Sequence, residues 1–201
     1  ETDMFTMVGD LAQGIHSYRS LTEWDSVLKL FPRATYATLQ KSYRTTIEIM
    51  EIANKILSKM DEDLPLVEPV VRHGKEPTFI RCEEFDADII LKTYDTIKCN
   101  GHRSIALIAK TTAEAKTIVS RLVEARIPVS LLDESATLDQ SKLLVVPSHL
   151  AKGLEFDAVI IAAFDTPFYD HPIDRKLLYV ALTRAMHELY LIGPDEKTFL
   201  L

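Results

Sequence analysis

The sequence is short of cysteine and glycine, with two and six of them in 201 residues. Cys82 and Cys99 lie too far apart for a CxxC redox or zinc pattern, and we interpret both as reduced structural residues. No apolar run approaches the roughly 18 residues of a membrane-spanning helix, and the acidic start at residues 1–3 lacks the basic region of a signal peptide. These absences exclude a disulfide scaffold and predict a cytoplasmic location with no membrane partner.

Positive charge is also scarce, because 23 Lys and Arg face 30 Asp and Glu for a net charge of -7. The first 60 residues carry seven basic and seven acidic side chains, so the acidic excess lies in the later part. Non-specific wrapping of nucleic acid requires clustered Lys and Arg. Any nucleic-acid contact must therefore be confined to a local cleft.

What the sequence does contain is an alternation of apolar and helical stretches from Ser104 onward. Apolar runs typical of strands alternate with two segments that have helical spacing, and the second of these segments is followed by a final strand. The strands are predicted at 104–110, 127–132, 143–146, 158–164 and 188–192, and the helices at 111–125 and 174–186. This order predicts an α/β fold with a mostly parallel, doubly wound sheet that is buried on both faces.

The earlier part of the chain has a different pattern. Residues 43–60 have the spacing of one long helix, and 61–77, with three prolines and one glycine, predict a connecting loop. Residues 1–37 contain a strand-like run at 4–8 and a helical segment at 21–30, too few strands for a separate sheet. Because the chain also lacks an initiator methionine, we interpret residues 1–37 as the tail of a preceding domain and the chain as a piece of a longer protein.

The first of four polar stretches runs from Val8 to Arg19. It places a Gly9-Asp10 turn after the predicted strand, with the amide of Gln13 three residues beyond the aspartate. Strand ends are where α/β sheets bind ligands. The alternative is a plain strand-to-helix turn in which Asp10 caps the helix.

The second stretch, Lys41-Ser-Tyr-Arg44, lies at the predicted start of the long helix. A helix N-terminus favours anions, so Arg44 could reach a phosphate while Tyr43 stacks on a base. The alternative is that Arg44 pairs with Glu48 one turn along.

The third stretch, from Pro147 to Phe156, is a polar, glycine-containing turn between two apolar strands. It predicts that its polar groups gather at one edge of the sheet. The alternative is an ordinary loop in which Lys152 and Glu155 are solvated.

The fourth stretch, Leu177 to Ala185, predicts a largely apolar helix that carries one arginine, Arg184, beside Thr183. A buried arginine is rare unless an anion accompanies it. A carboxylate would satisfy it, and so would a phosphate, because the guanidinium fork suits the charge that develops in phosphoryl transfer.

Taken in order, the four stretches resemble the later motifs of the UvrD/Rep-type superfamily 1 DNA helicases, from about residue 6 to residue 193. The joint occurrence of four motifs in this order is specific, whereas each motif alone is not. The matching positions are Gly9, Asp10, Gln13 and Ile15; Tyr43, Arg44 and Thr45; His149 to Phe156; and Tyr179 to Ala185. The resemblance implies that 1–37 ends a first RecA-like domain and that 38–201 form the second, a P-loop NTPase-type domain.

The resemblance also implies a nucleotide-binding role for several residues. Gln13 would sense the γ-phosphate and the attacking water, and Arg44 and Arg184 would act as arginine fingers. Tyr43 would stack on adenine, and Glu155 would hold the ribose. Asp10 and Gly153 complete the expected ATP-binding set.

A second group of residues would contact single-stranded DNA. By position these are His16, Tyr18 and Arg19 in the first stretch, with His149 and Lys152 in the third. Aromatic stacking suits sequence-tolerant strand binding. His16 stands where the family usually has an aromatic residue, whereas Tyr18 keeps an aromatic ring.

Two parts of the family pattern are missing. The chain contains neither a GxxxxGK[ST] loop nor the acidic Mg²⁺ motif, so most ligands of ATP and Mg²⁺ would lie in a missing N-terminal RecA-like domain. The isolated chain is therefore expected to be inactive. The large insertion within the second domain is also absent, because 127–146 leaves room only for a turn. This layout is most similar to the helicase-IV/HelD-like branch, some of whose members act on RNA polymerase.

Two functions follow from the resemblance. The first is the C-terminal motor half of an ATP-dependent DNA helicase or translocase, which would close on ATP and ratchet single-stranded DNA. The second is a non-catalytic module that docks on DNA or RNA polymerase. An unrelated nucleotide-binding α/β protein with chance motif matches is a third, remote alternative.

Overall fold

The computed structural model of the chain describes residues 6–15, 23–39, 41–60, 66–69, 72–132 and 142–199. Eight strands lie in these residues: β1 (Lys41–Ser42), β2 (Glu68–Pro69), β3 (Thr78–Arg81), β4 (Ile105–Ala109), β5 (Val129–Leu131), β6 (Leu143–Pro147), β7 (Phe156–Ala162) and β8 (Ala185–Gly193). The helices are α1 (Asp25–Leu30), α2 (Ile47–Leu57), α3 (Ala87–Cys99), α4 (Thr112–Glu124) and α5 (Pro172–Leu182). Short 3-10 helices occupy Leu11–Gln13, Ser148–Leu150 and Glu196–Phe199.

The main sheet has six parallel strands in the order β3-β8-β7-β4-β6-β5. Successive side chains of its central strands alternate between two separate cores. Ile108 and Ile161 pack in the core that contains α2 and α5. Leu107 and Ile160 pack in the core that contains α3 and α4. The prediction of an α/β fold with a doubly wound parallel sheet buried on both faces is therefore confirmed.

The helix predicted at 43–60 is shorter than expected and begins at Ile47. Thr46 is its N-cap, because the Thr46 hydroxyl accepts a hydrogen bond from the backbone N–H of Ile49. The preceding residues Lys41–Ser42 instead form β1 and pair with β2. The prediction that Arg44 and Tyr43 lie at the N-terminus of the helix is therefore wrong, and β2 lies in the predicted loop at 61–77.

The helix predicted at 174–186 is also shorter than expected at its C-terminal end, since α5 ends at Leu182. The hydroxyl of Thr183 turns back to the carbonyls of Tyr179 and Val180, which closes the last turn. The chain then enters β8 directly, and the Arg184 carbonyl accepts the N–H of Phe156 at the start of β7. Arg184 therefore lies between α5 and β8 and not within the helix. It is close to the first residues of both β7 and β8.

Residues 78–99 form two elements that the sequence pattern did not predict, β3 and α3. β3 is an edge strand whose residues are half-buried or exposed, so it lacks the continuous apolar run of the central strands. Two signals for α3 were present in the sequence. Asp86 caps the helix by accepting from two backbone N–H groups, and Ile90, Tyr94 and Ile97 have helical spacing on its buried face.

The N-terminal part is largely irregular. Residues 6–8 of the strand predicted at 4–8 are not in a strand, and residues 4–5 lie outside the described residues. Asp10 caps a 3-10 helix, as the alternative for the first stretch proposed. The helical segment predicted at 21–30 is confirmed for Asp25–Leu30. Within the described residues, no helix is both long and apolar enough to cross a membrane.

A buried ion pair ties α5 to the sheet. Lys110 follows β4, and its Nζ lies 2.7 Å from the Asp174 carboxylate in the first turn of α5. The side chains are 7% and 3% exposed. Lys110 also donates to the Pro167 carbonyl, and Asp174 also accepts from the backbone N–H of His171. Together these contacts place the helix that leads to Arg184.

We expect Asp174→Ala to lower the free energy of unfolding of the chain by about 3–5 kcal/mol, because it leaves the Lys110 ammonium buried without a counter-charge. Urea denaturation followed by circular dichroism would measure the change. The exposed Asp170→Ala is the matched control, with an expected change within about 0.5 kcal/mol. Equal losses for the two variants would contradict a role for the pair.

Candidate functional site

The side chain of Arg184 is buried, with 1% of its surface exposed. Each hydrogen bond that it makes with the described residues ends on a neutral oxygen. Nε donates to the Val180 carbonyl at 3.0 Å, and Nη1 donates to the Leu154 carbonyl at 3.2 Å. Nη2 donates to the Thr183 hydroxyl at 3.1 Å and makes a long contact of 3.5 Å with Oε1 of Gln13. Among the described residues, no carboxylate lies within ion-pair distance of this guanidinium.

The electrostatics of Arg184 reflect this burial. Desolvation lowers the pKa of the guanidinium, and the nearby positive charge of Arg44 lowers it further. Glu155, Tyr179 and Asp10 act in the opposite direction. An arginine nonetheless stays protonated in proteins, so the positive charge persists in the interior. A charge that is buried without an anion is costly, and such a site favours a negatively charged ligand.

Gln13 is held over Arg184 by the 3-10 helix at Leu11–Gln13. Asp10 caps this turn through the N–H of Ala12, and its other carboxylate oxygen accepts from Nε2 of Gln13 at 2.6 Å. Because the amide nitrogen faces Asp10, the amide oxygen faces Arg184. The backbone carbonyl of Gln13 in turn accepts a hydrogen bond from Nζ of Lys152 at 2.9 Å. The first, third and fourth polar stretches therefore meet here.

Arg44 and Glu155 form an ion pair beside this cluster, with Nε of Arg44 2.6 Å from Oε1 of Glu155. Both side chains are close to half exposed. Arg44 thus pairs with Glu155 and not with Glu48, whose carboxylate binds His73 and the N–H of Gly74. The Tyr43 side chain next to it is well exposed, at 73%.

Tyr179 contributes a buried phenol to the same region. Burial raises the pKa of Tyr179 to about 12, and the negative charge of Asp10 adds to this shift. The hydroxyl therefore keeps its proton at neutral pH and adds no negative charge that could neutralise Arg184.

The third stretch crosses between two edges of the sheet. The sequence pattern predicted instead that its polar groups gather at one edge. It starts at the carboxyl end of β6, where the Ser148 hydroxyl donates to the Ala109 carbonyl, and it ends at the amino end of β7. Because the strands are parallel, these are opposite edges. Gly153 has a φ of +86° in the middle of this crossing, a backbone conformation that favours glycine.

The structure therefore brings together some of the predicted site residues and separates others. One cluster at the amino edge contains Asp10, Gln13, Arg44, Lys152, Glu155 and Arg184. His149 is exposed beyond the carboxyl end of β6. The positions of His16, Tyr18 and Arg19 lie outside the described residues.

One residue of the cluster's surroundings was missed. Arg72 lies in the stretch predicted as a loop, and its Nη2 donates to the backbone carbonyls of Arg44 and Met186. No pattern in the sequence marks an arginine that binds main-chain carbonyls. In the described part of the chain, no group of His, Cys, Asp and Glu side chains could hold a metal ion.

Comparisons with known proteins bear directly on this arrangement. Residues 142–192 match the family model of the UvrD-like helicase C-terminal domain. The C-terminal domain of a possible DNA helicase from Lactobacillus plantarum WCFS1 is 31% identical, with a TM-score of 0.62 over 76% of this chain and 87% of that one. This likeness confirms the predicted RecA-like architecture.

Two curated proteins are similar over most of the chain. One is the ATP-dependent DNA helicase PcrA of Leuconostoc citreum, 24% identical over 72% of this chain. The other is the probable DNA helicase II homolog of Mycoplasma capricolum, 29% identical over 77% of it. The chain spans 20% and 22% of their lengths, about a fifth of each. From the matched model, the solved domain and the shared fold, we conclude that this chain belongs to the family of UvrD-like helicase C-terminal domains.

Proposed function

We propose that this chain is the C-terminal motor half of an ATP-dependent DNA helicase or translocase. In the full-length protein, ATP with Mg²⁺ would bind between residues 38–201, as the second RecA-like domain, and a preceding RecA-like domain that ends at about residue 37. The observation that carries the proposal is the buried Arg184 guanidinium, whose hydrogen-bond partners among the described residues are all neutral.

The cluster suits a nucleotide in its charge and in the polar and aromatic groups that it offers. A phosphate oxygen could replace the long 3.5 Å contact between Gln13 and Arg184 and supply the missing negative charge. Arg44 is partly exposed beside it and could bind the same phosphate. The exposed ring of Tyr43 is available to stack on adenine, and the Glu155 carboxylate is available to the ribose hydroxyls.

Each residue then has a defined task in phosphoryl transfer. Arg44 and Arg184 stabilise charge on the γ-phosphate, a role in which arginine fingers contribute large rate factors. Gln13 orients the attacking water, and Asp10 holds the Gln13 amide in a fixed orientation. The Mg²⁺ ligands and the phosphate-binding loop belong to the preceding domain. For this reason the isolated chain should not hydrolyse ATP.

The proposed DNA contacts are confined to few residues, as the net charge of -7 requires. Tyr18 would stack on a base, and His16 and Arg19 would contact the strand beside it. His149, beyond the carboxyl end of β6, and Lys152, in the cluster at the amino edge, would contact the DNA strand at separate points. Lys152 also donates to the backbone carbonyl of Gln13. Binding of DNA to Lys152 would therefore affect Gln13, whose side chain faces Arg184.

A non-catalytic module, which docks on DNA or on RNA polymerase as in HelD-like factors, is the competing function. It needs no uncompensated cation in the interior, because docking uses surface groups. The burial of Arg184 therefore favours the motor, and the following measurement separates the two.

We expect Arg184→Met in the full-length protein to lower ATP turnover by about 100-fold or more, because it removes an arginine finger. The free energy of unfolding should change by less than about 1 kcal/mol, since the methionine also removes a buried charge that has no anionic partner. Phosphate release and urea denaturation would measure the two effects.

The exposed Arg81→Met is the control, and it should leave both quantities unchanged. Wild-type turnover by Arg184→Met would refute the finger role. Absence of turnover in the unmodified full-length protein would favour the docking module.

We expect Tyr18→Ala to raise the single-stranded DNA concentration for half-maximal stimulation of ATP turnover by about tenfold, because stacking of one base contributes about 1–3 kcal/mol. Turnover without DNA should be unaffected. The partly exposed Tyr169→Ala serves as the control. A titration with an oligonucleotide measures the shift, and identical titrations for the two variants would argue against a stacking role.

A further inference from the structure

Arg72 links the backbone of Arg44 to that of Met186, which lies two residues after Arg184. Its Nη2 donates to the carbonyl of Arg44 at 2.7 Å and also to the carbonyl of Met186, two residues after Arg184. The two carbonyls are far apart in sequence, one before α2 and the other near the start of β8. One guanidinium nitrogen therefore joins the two segments.

The backbone around Arg72 is fixed against the first turn of α2. The Arg72 carbonyl accepts the N–H of Ile47 at 3.0 Å. The next two residues, His73 and Gly74, both bind the carboxylate of Glu48. A Cβ at Gly74 would lie 2.4 Å from the side chain of Thr46, so this backbone packs directly on the helix cap. The base of the Arg72 side chain is therefore held in place.

In the part of the chain that the structure describes, the charge of Arg72 has no carboxylate partner. Among the described residues, no carboxylate lies within ion-pair distance of its guanidinium, and its buried Nε has no hydrogen-bond partner. Its hydrogen bonds to described residues are those of Nη2 with the two carbonyls. Through these two contacts, Arg72 fixes the distance between the backbone at Arg44 and the backbone at Met186.

That distance matters because Arg44 and Arg184 repel each other. The positive charge of Arg44 lowers the pKa of Arg184, so each cation opposes the approach of the other. Two fingers that act on one phosphate must nevertheless be close together. A misplacement of about 1 Å can reduce a reaction rate about 100-fold.

We propose that Arg72 is a positioning residue, which sets the spacing of Arg44 and Arg184 by binding the main chain beside each of them. The inference rests on the proposed function, since it assigns Arg72 to the same nucleotide site. Arg72 touches no reacting atom in this scheme, and it acts through the other two arginines.

The test is a double-mutant cycle in the full-length protein, with radiolabelled phosphate release as the measure of kcat. We expect Arg72→Met to lower kcat by about 10- to 100-fold when Arg184 is present. In the Arg184→Ala background the same substitution should lower kcat by less than about threefold, because the spacing of the two fingers no longer matters once one of them is gone. The KM for ATP should change less than kcat does.

Two further variants make the result decisive. Arg72→Lys keeps a cationic donor for the carbonyls and should restore part of the lost kcat. It also serves as the test variant if Arg72→Met does not fold. Arg81→Met removes an exposed arginine that pairs with Glu83, and it should have no effect.

Equal losses of kcat in the two backgrounds would show a purely structural role and overturn the inference. So would an unchanged kcat in Arg72→Met. If Arg184→Ala alone leaves turnover intact, the proposed function itself fails. The single variant therefore distinguishes failure of the proposed function from failure of the inference about Arg72.

Discussion

A guanidinium that remains charged inside a protein must find an anion or bear the cost of desolvation, and Arg184 finds only carbonyl, hydroxyl and amide oxygens in the described structure. The phenol of Tyr179 stays protonated, and the nearest ion pair uses the Glu155 carboxylate for Arg44. The uncompensated charge is the feature on which the functional account depends. Residues at functional sites commonly sacrifice stability in this way.

The rest of the fold serves to place that charge. The parallel sheet, buried on both faces, brings the amino ends of β7 and β8 together, and the Arg184 carbonyl joins them. The Lys110–Asp174 pair fixes the start of α5, and the Thr183 hydroxyl closes its end. From the opposite direction, the capped turn that begins at Asp10 brings Gln13 over the guanidinium. Segments distant in sequence are thus combined into one positively charged site at an edge of the sheet.

Sequence patterns predicted the central sheet well, because strands buried on both faces leave continuous apolar runs such as that of β7. The half-buried edge strand β3 leaves no such run. The start of α2 and the end of α5 depend on hydroxyl contacts of Thr46 and Thr183, which cannot be predicted from the spacing of apolar residues. The burial of Arg184 followed from its apolar neighbours in sequence. The pairing of Arg44 with Glu155 did not, because residues 111 positions apart meet only through the tertiary fold.

The most direct test of the account is a structure of the full-length protein bound to ADP and a γ-phosphate mimic, such as aluminium fluoride. We expect the Arg184 guanidinium to donate to the mimic at normal hydrogen-bond distance, about 2.7–3.2 Å, in place of its long contact with Gln13. If the mimic binds while Arg184 keeps only its present neutral partners, the central claim is contradicted.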